Sequence, residues 1–213
     1  MAQRVVFLTA YQNEAYADTY RALVAQVQQV DALSGKTALS EAVARNLFKL
    51  MAYKDEYEVA RLYADGSFAA RVAGRFEGDY QLHFHMAPPW LAKVNEKGEL
   101  VKQRFGPKTM TAFKWLARLK GLRGTAFDVF GRTPERRQER DWIWRYQAML
   151  QEVCGVLTSS QDEKVLANYK NALLLAQIPQ DIRGFGHVKT RHSALAMEKW
   201  QQLLVQFRGT SMT

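Results

Sequence analysis

The side chains best placed to do chemistry in this sequence are basic. Arg136, Arg137 and Arg140 follow Thr133-Pro134, and the four-residue step puts Arg136 and Arg140 on one helix face. Guanidinium groups so spaced can grip a phosphate or a carboxylate in forked, charge-assisted hydrogen bonds. The loop just upstream, Gly121-Leu-Arg123-Gly124-Thr125-Ala-Phe-Asp128-Val-Phe-Gly131, adds three glycines and a potential Arg123–Asp128 pair. Ordered loops of this length are often functional. A second basic segment, Arg183-Gly-Phe-Gly-His187-Val-Lys189, stands just before a helix start, where free backbone N–H groups favour an anion. The candidate contacts for an anion or a partner are therefore Arg123, Asp128, Arg136, Arg137, Arg140, Arg183, His187 and Lys189. For the Gly184-Phe185-Gly186 stretch, a connector required by tight helix packing is the preferred alternative.

Other motifs fail on spacing. Ser34-Gly35-Lys36-Thr37 resembles the end of a phosphate-binding loop, but Val30 stands where the earlier glycine is needed, inside a helical pattern. It reads as a helix–helix turn. Gly184-Phe-Gly186 lacks a third glycine, since Lys189 holds that position, and no strand precedes it. His83 and His85 share a strand face, but no third metal ligand points at them, so a structural role is expected. Asp55, Glu56 and Glu58 read as ion-pairing groups, through Lys54–Glu58 and Glu58–Arg61 steps, rather than as an acid–base pair. The single cysteine, Cys154, rules out an internal disulfide and a Cys-ligated cluster held by this chain alone. Its helical spacing from Tyr146, Leu150 and Leu157 marks it as a small core residue. No catalytic residue and no metal ligand is assigned.

The elements that must position these residues are mostly helices. The fold class expected is mainly α (α+β): a multi-helix domain with one small antiparallel β-hairpin or three-stranded sheet. Three- and four-residue apolar steps predict one helix over 4–33 and a second over 41–64 with Ser40 as N-cap. Looser alternation over 67–76 and clear alternation over 80–86 predict a hairpin closed by Pro88-Pro89, and 99–105 is a candidate third strand. Helices follow over 107–120, 133–157, 161–178 and 191–207.

The 213 residues carry a formal charge of +9. Between Lys102 and Arg145 there are twelve Lys or Arg against four acids, nearly the whole surplus. So concentrated a charge suits an acidic protein surface, a phosphorylated ligand or nucleic acid. No recognisable nucleic-acid module is present, so nucleic acid is not the expected partner. No stretch is long and apolar enough to span a bilayer, and no secretory leader is evident, so no membrane partner and a cytoplasmic location are expected.

Four blocks, taken together, are distinctive. They are Ala42-Val-Ala-Arg-Asn-Leu-Phe-Lys-Leu-Met-Ala-Tyr53-Lys54-Asp55-Glu56-Tyr57-Glu58-Val-Ala-Arg61-Leu62; Phe84-His85-Met-Ala-Pro88-Pro89; Lys120-Gly-Leu-Arg-Gly-Thr-Ala-Phe-Asp128 with Glu135-Arg-Arg-Gln-Glu-Arg140; and Ile182-Arg-Gly-Phe-Gly-His187-Val-Lys189. In this order and spacing the chain, from about Arg4 to Arg208, resembles the carboxy-terminal region of long, fused bacterial indolepyruvate ferredoxin oxidoreductases. The resemblance implies a parent that converts aryl-2-oxoacids to acyl-CoA with thiamine diphosphate, Mg²⁺ and iron–sulfur clusters, and passes electrons to ferredoxin. Those cofactor motifs belong to preceding domains, and none can be placed here, so no cofactor is expected in this segment. Residues 1–35 would be a helical tail following the parent's gamma-type domain, and 36–213 a helical C-terminal domain with its hairpin near 67–86. The expected role is structural or docking, with the remaining domains of the parent chain as partners. The alternatives are a ferredoxin- or CoA-binding module, or an independent basic nucleic-acid-binding domain.

Overall fold

The structure is a computed structural model that describes residues 1–87, 101–159 and 164–212. It is mainly α with one small antiparallel sheet, as the periodicity implies. The chain divides into two compact units, residues 1–53 with 128–213, and residues 54–127. That division differs from one at residue 35, because the first helices are built into the core of the first unit.

In the first unit, α1 (Ala2–Tyr11) and α2 (Glu14–Leu33) replace the single helix expected over 4–33. The break is chemical. Asn13 is extended, and its side chain accepts a hydrogen bond from the Tyr16 amide at 2.9 Å, capping α2. Apolar periodicity continues across this break, so spacing alone hides it. After the Ser34–Lys36 turn, where Gly35 has φ +62°, α3 runs Ala38–Met51 with Thr37, not Ser40, at its N-cap. Ser40 instead anchors the turn, because its amide donates to the buried Asp31 carboxylate at 2.7 Å. Tyr169 Oη donates to the other Asp31 oxygen at 2.9 Å. One buried acid thus fastens the α2–α3 turn to α8 (Lys164–Gln177). The remaining helices of this unit are α7 (Pro134–Ser159) and α9 (His187–Met212). A 3-10 turn, Ile178–Asp181, closes α8.

α3 packs on α2, α7 and α8, and α9 packs on α8. Leu8, Tyr11, Tyr20, Val27, Leu47, Met51, Tyr146, Leu150, Leu175, Trp200 and Phe207 fill the core. Burying each of the larger apolar side chains contributes about 1.5–3 kcal/mol. Buried phenols need acceptors, and they find backbone carbonyls: Tyr11 donates to Tyr53 O, Tyr20 to Ala44 O, and Tyr146 to Ala176 O, all at 2.8 Å.

In the second unit, α4 (Glu56–Ala64) begins at Asp55, whose side chain accepts from the Glu58 amide at 2.8 Å. The helix expected over 41–64 is therefore broken by a second cap. Ser67–Ala73 is a helix, α5, and not the first arm of a hairpin. Asp65 Oδ1 accepts from both the amide and the hydroxyl of Ser67, and Gly66 turns with φ +84°, so a helix start stands where alternation suggested a strand. The sheet pairs β1 (Phe84–Met86) with β2 (Gln103–Phe105), in the register Phe84↔Phe105. Pro88-Pro89 lies outside the described residues, as do residues 99 and 100 of the candidate strand over 99–105. α6 (Thr109–Arg118) and a 3-10 turn (Leu119–Leu122) complete the unit. Its small core is aromatic: Phe113 stacks on Tyr63 at 5.1 Å and meets Phe84 edge-on at 5.2 Å.

Candidate functional site

The basic cluster of the first unit is organised by the start of α7. The Thr133 hydroxyl accepts from the Arg136 amide at 3.3 Å, with Pro134 at the first helical position. Helical spacing then puts Arg136, Glu139 and Arg140 on one face. Glu139 is buried; it accepts from Arg136 Nη1 at 2.7 Å and from Lys189 Nζ. The Arg136 guanidinium also lies 5.9 Å from the Tyr53 ring centroid, a cation–π contact. Asp128, 3% exposed, accepts from the Gly131 amide at 2.8 Å. Arg140 donates to Gly131 O, and its other terminal nitrogen lies 3.8 Å from Asp128 Oδ2. This knot explains Gly131: a Cβ there would sit 2.2 Å from Asp128 Oδ2 and 2.7 Å from Arg140 Nη1.

The segment before α9 is fastened through its backbone. Lys49 Nζ donates to Pro179 O at 2.6 Å and to Ile182 O at 2.9 Å. Burial first, and the Arg183 charge second, lower the Lys49 pKa. Arg183 Nε donates to Gln180 O at 2.7 Å, and His192 Nδ1 lies 3.0 Å from Arg183 O. Gly184 and Gly186 have φ of +89° and +55°, and a Cβ on Gly184 would meet Val188 Cγ1 at 2.7 Å. The turn so built leaves Phe185 79% exposed and the side chains of Arg183 and His187 in solvent.

In the second unit, Arg123 and Asp55 form a buried bidentate pair at 2.6 and 2.9 Å, each side chain about 3% exposed. The Arg123 guanidinium also faces the Tyr57 ring at 5.5 Å. Glu58 holds Arg61 with two bonds of 2.7 Å. The Arg61 pKa is raised, chiefly by that hydrogen bond, while burial lowers that of Lys120.

The expected contacts thus fall into two groups. Arg136, Arg140 and Lys189 are engaged with buried carboxylates, and Arg123 is sealed inside its own unit. The expected Arg123–Asp128 pair does not form: Arg123 binds Asp55, and Asp128 serves Gly131 and Arg140. Arg137, Arg183 and His187 remain exposed. The expected Glu58–Arg61 pair is present. Residues that sequence reasoning did not single out are Asp55 as the partner of Arg123, Glu139, Lys49 and Gly131. Only Glu139 carried a local signal, three residues after Arg136. Asp55 and Lys49 find their partners across 68 and about 130 residues of chain.

Cys154 is buried, and burial pushes its thiol pKa up to about 11. His83 and His85 are exposed, and no group of three or more His, Cys, Asp or Glu among the described residues could hold a metal ion. No helix among the described residues is long and apolar enough to cross a membrane.

Fold and clusters together define a basic, mainly α domain braced by buried ion pairs. A family model described as a family of unknown function, DUF6537, matches residues 1–202, and the chain belongs to that family. No curated protein and no solved structure matches it.

Proposed function

We propose that this chain is the C-terminal structural and docking segment of a thiamine diphosphate-dependent indolepyruvate ferredoxin oxidoreductase. In this reading it contributes no catalytic side chain of its own. The acyl-CoA-forming chemistry, with its thiamine diphosphate, Mg²⁺ and iron–sulfur clusters, belongs to the rest of a cytoplasmic parent enzyme.

One observation carries the proposal. Many of the charged residues in three of the four blocks are bracing residues. Asp55 and Arg123, Glu58 and Arg61, Asp128 and Arg140, and Glu139 and Lys189 hold one another. Side chains so engaged preserve a shape, which is what a docking segment must present. The decisive experiment deletes the segment from the parent and measures both assembly, by sedimentation, and indolepyruvate-dependent ferredoxin reduction. Loss of assembly, or a fall in turnover of about tenfold, roughly 1.4 kcal/mol, is expected. Unchanged assembly together with unchanged turnover overturns the proposal.

A further inference from the structure

The basic surplus has a part that internal pairing does not consume. From Val101 to Phe127 the sequence holds seven cations and no carboxylate. Arg123 is buried against Asp55, and Lys120 is half-buried. The other five, Lys102, Arg104, Lys108, Lys114 and Arg118, are exposed. Among the described residues none of the five has a carboxylate partner.

Helix α6 and its N-cap residue Lys108 arrange three of these around an aromatic. It turns Met110, Phe113, Leu116 and Ala117 toward the aromatic core of the second unit. On its outer side the seven-residue step from Lys108 to Trp115, and the three- and four-residue steps to Arg118 and Leu119, make one stripe. Trp115 is 65% exposed and Leu119 48%. Lys114 flanks the stripe, and the Arg118 guanidinium lies 5.1 Å from the Trp115 ring centroid. On the adjoining sheet, Arg104 pairs with His85 across the strands, and both face solvent.

We propose that the outer face of α6, centred on Trp115 and rimmed by Lys108, Lys114 and Arg118, docks an acidic polypeptide segment that carries apolar side chains. The rim selects carboxylates by charge. The Trp115–Leu119 ridge supplies the apolar anchor, since exposed Trp and Arg are the residue types that dominate protein–protein binding energy. The same features disfavour single-stranded nucleic acid. Binding of that kind stacks successive bases on several open aromatic faces, whereas the described residues of this face offer one indole, with a guanidinium already over it. The proposal is independent of the parent enzyme suggested above, because it concerns a surface of this chain and a partner chemistry.

The test uses the full chain and three synthetic probes matched in charge: a Glu/Asp peptide with interspersed Leu and Phe, poly-glutamate, and a single-stranded oligonucleotide. The acidic–apolar peptide should bind at low salt, more tightly than either other probe, and more weakly as salt rises. Trp115→Ala and Lys114→Glu/Arg118→Glu should each weaken it about tenfold or more. Both changes are on exposed side chains, and unchanged circular dichroism shows that the fold survives. As a control outside the proposed face, Arg137→Glu should leave the affinity within about twofold. No peptide binding, tighter oligonucleotide binding, or equal loss from Arg137→Glu would each overturn the proposal.

Discussion

Replacing Arg123 with Met tests the bracing role directly. Asp55 and Arg123 meet through two hydrogen bonds of 2.6 and 2.9 Å, with both side chains about 3% exposed. Solvent screening is therefore slight, and the pair cannot be treated as a surface salt bridge. Arg123→Met leaves the buried Asp55 carboxylate without its guanidinium and held by the Glu58 amide, and breaking a buried pair this way costs about 3–5 kcal/mol. Asp55→Asn keeps an oxygen for the Glu58 amide and for Arg123 but removes the charge, so about 2–3 kcal/mol is expected. The double variant removes both charges, retains the cap and fills the space with an apolar chain. It should lie within about 1–2 kcal/mol of the unmodified chain, so that the singles sum to at least about 3 kcal/mol more than the double. Urea unfolding followed by circular dichroism gives the global cost. Hydrogen exchange at the α4 amides reads the second unit by itself, which matters because two units need not unfold together. If Arg123→Met costs under about 1 kcal/mol and the cycle is additive, the pair does not brace the fold and the reasoning fails.

Gly131→Ala puts a methyl group 2.2 Å from Asp128 Oδ2, so the carboxylate must leave the Gly131 amide. A loss of about 2 kcal/mol in urea melts is expected, against near neutrality for Gly121→Ala, where a Cβ meets nothing within 4 Å. Lys49→Met removes the donor shared by Pro179 O and Ile182 O and should cost about 2 kcal/mol, with faster exchange at the start of α9. For Cys154, burial raises the thiol pKa from its ordinary 9.0 to about 11, so the folded state favours the neutral form. Its stabilising effect is complete below pH 9 and is lost as pH rises toward 11. Native alkylation at pH 8 should therefore be slow and become fast on unfolding; equal rates in both states would refute the burial assignment.

Helix content was legible because apolar spacing survives in almost every element. The Thr133-Pro134 signal placed the start of α7 to the residue, since both the capping hydroxyl and the proline act locally. The breaks at Asn13 and Asp55 were not legible. Each cap sits inside an uninterrupted apolar rhythm, and only the short non-helical stretches 12–13 and 52–55 separate the helices. Residues 67–73 misled for a related reason. Alternation of Phe68, Ala70 and Val72 competes with the Asp65–Ser67 turn, and a turn that satisfies both the amide and the hydroxyl of Ser67 outweighs a short alternating pattern.

The candidate site shows where counting charges stops being informative. Composition marks Lys102 to Arg145 as one basic span, but folding sorts it by the reach of each carboxylate. Downstream, Asp128 and Glu139 lie close enough in the fold to hold Arg140, Arg136 and Lys189, and that charge becomes internal bracing. Upstream, Asp55 pairs with Arg123 inside the second unit. The segment before Arg123 has no carboxylate of its own, so its charge stays on the surface, gathered on α6 around an exposed indole. The arginines whose spacing best suits a partner, Arg136 and Arg140, are therefore among those with least freedom to bind one. The lysines beside Trp115, which form no motif, keep their charge available. Sequence spacing finds helix faces, whereas the balance of acid and base across distant segments decides which of those faces still has something to bind.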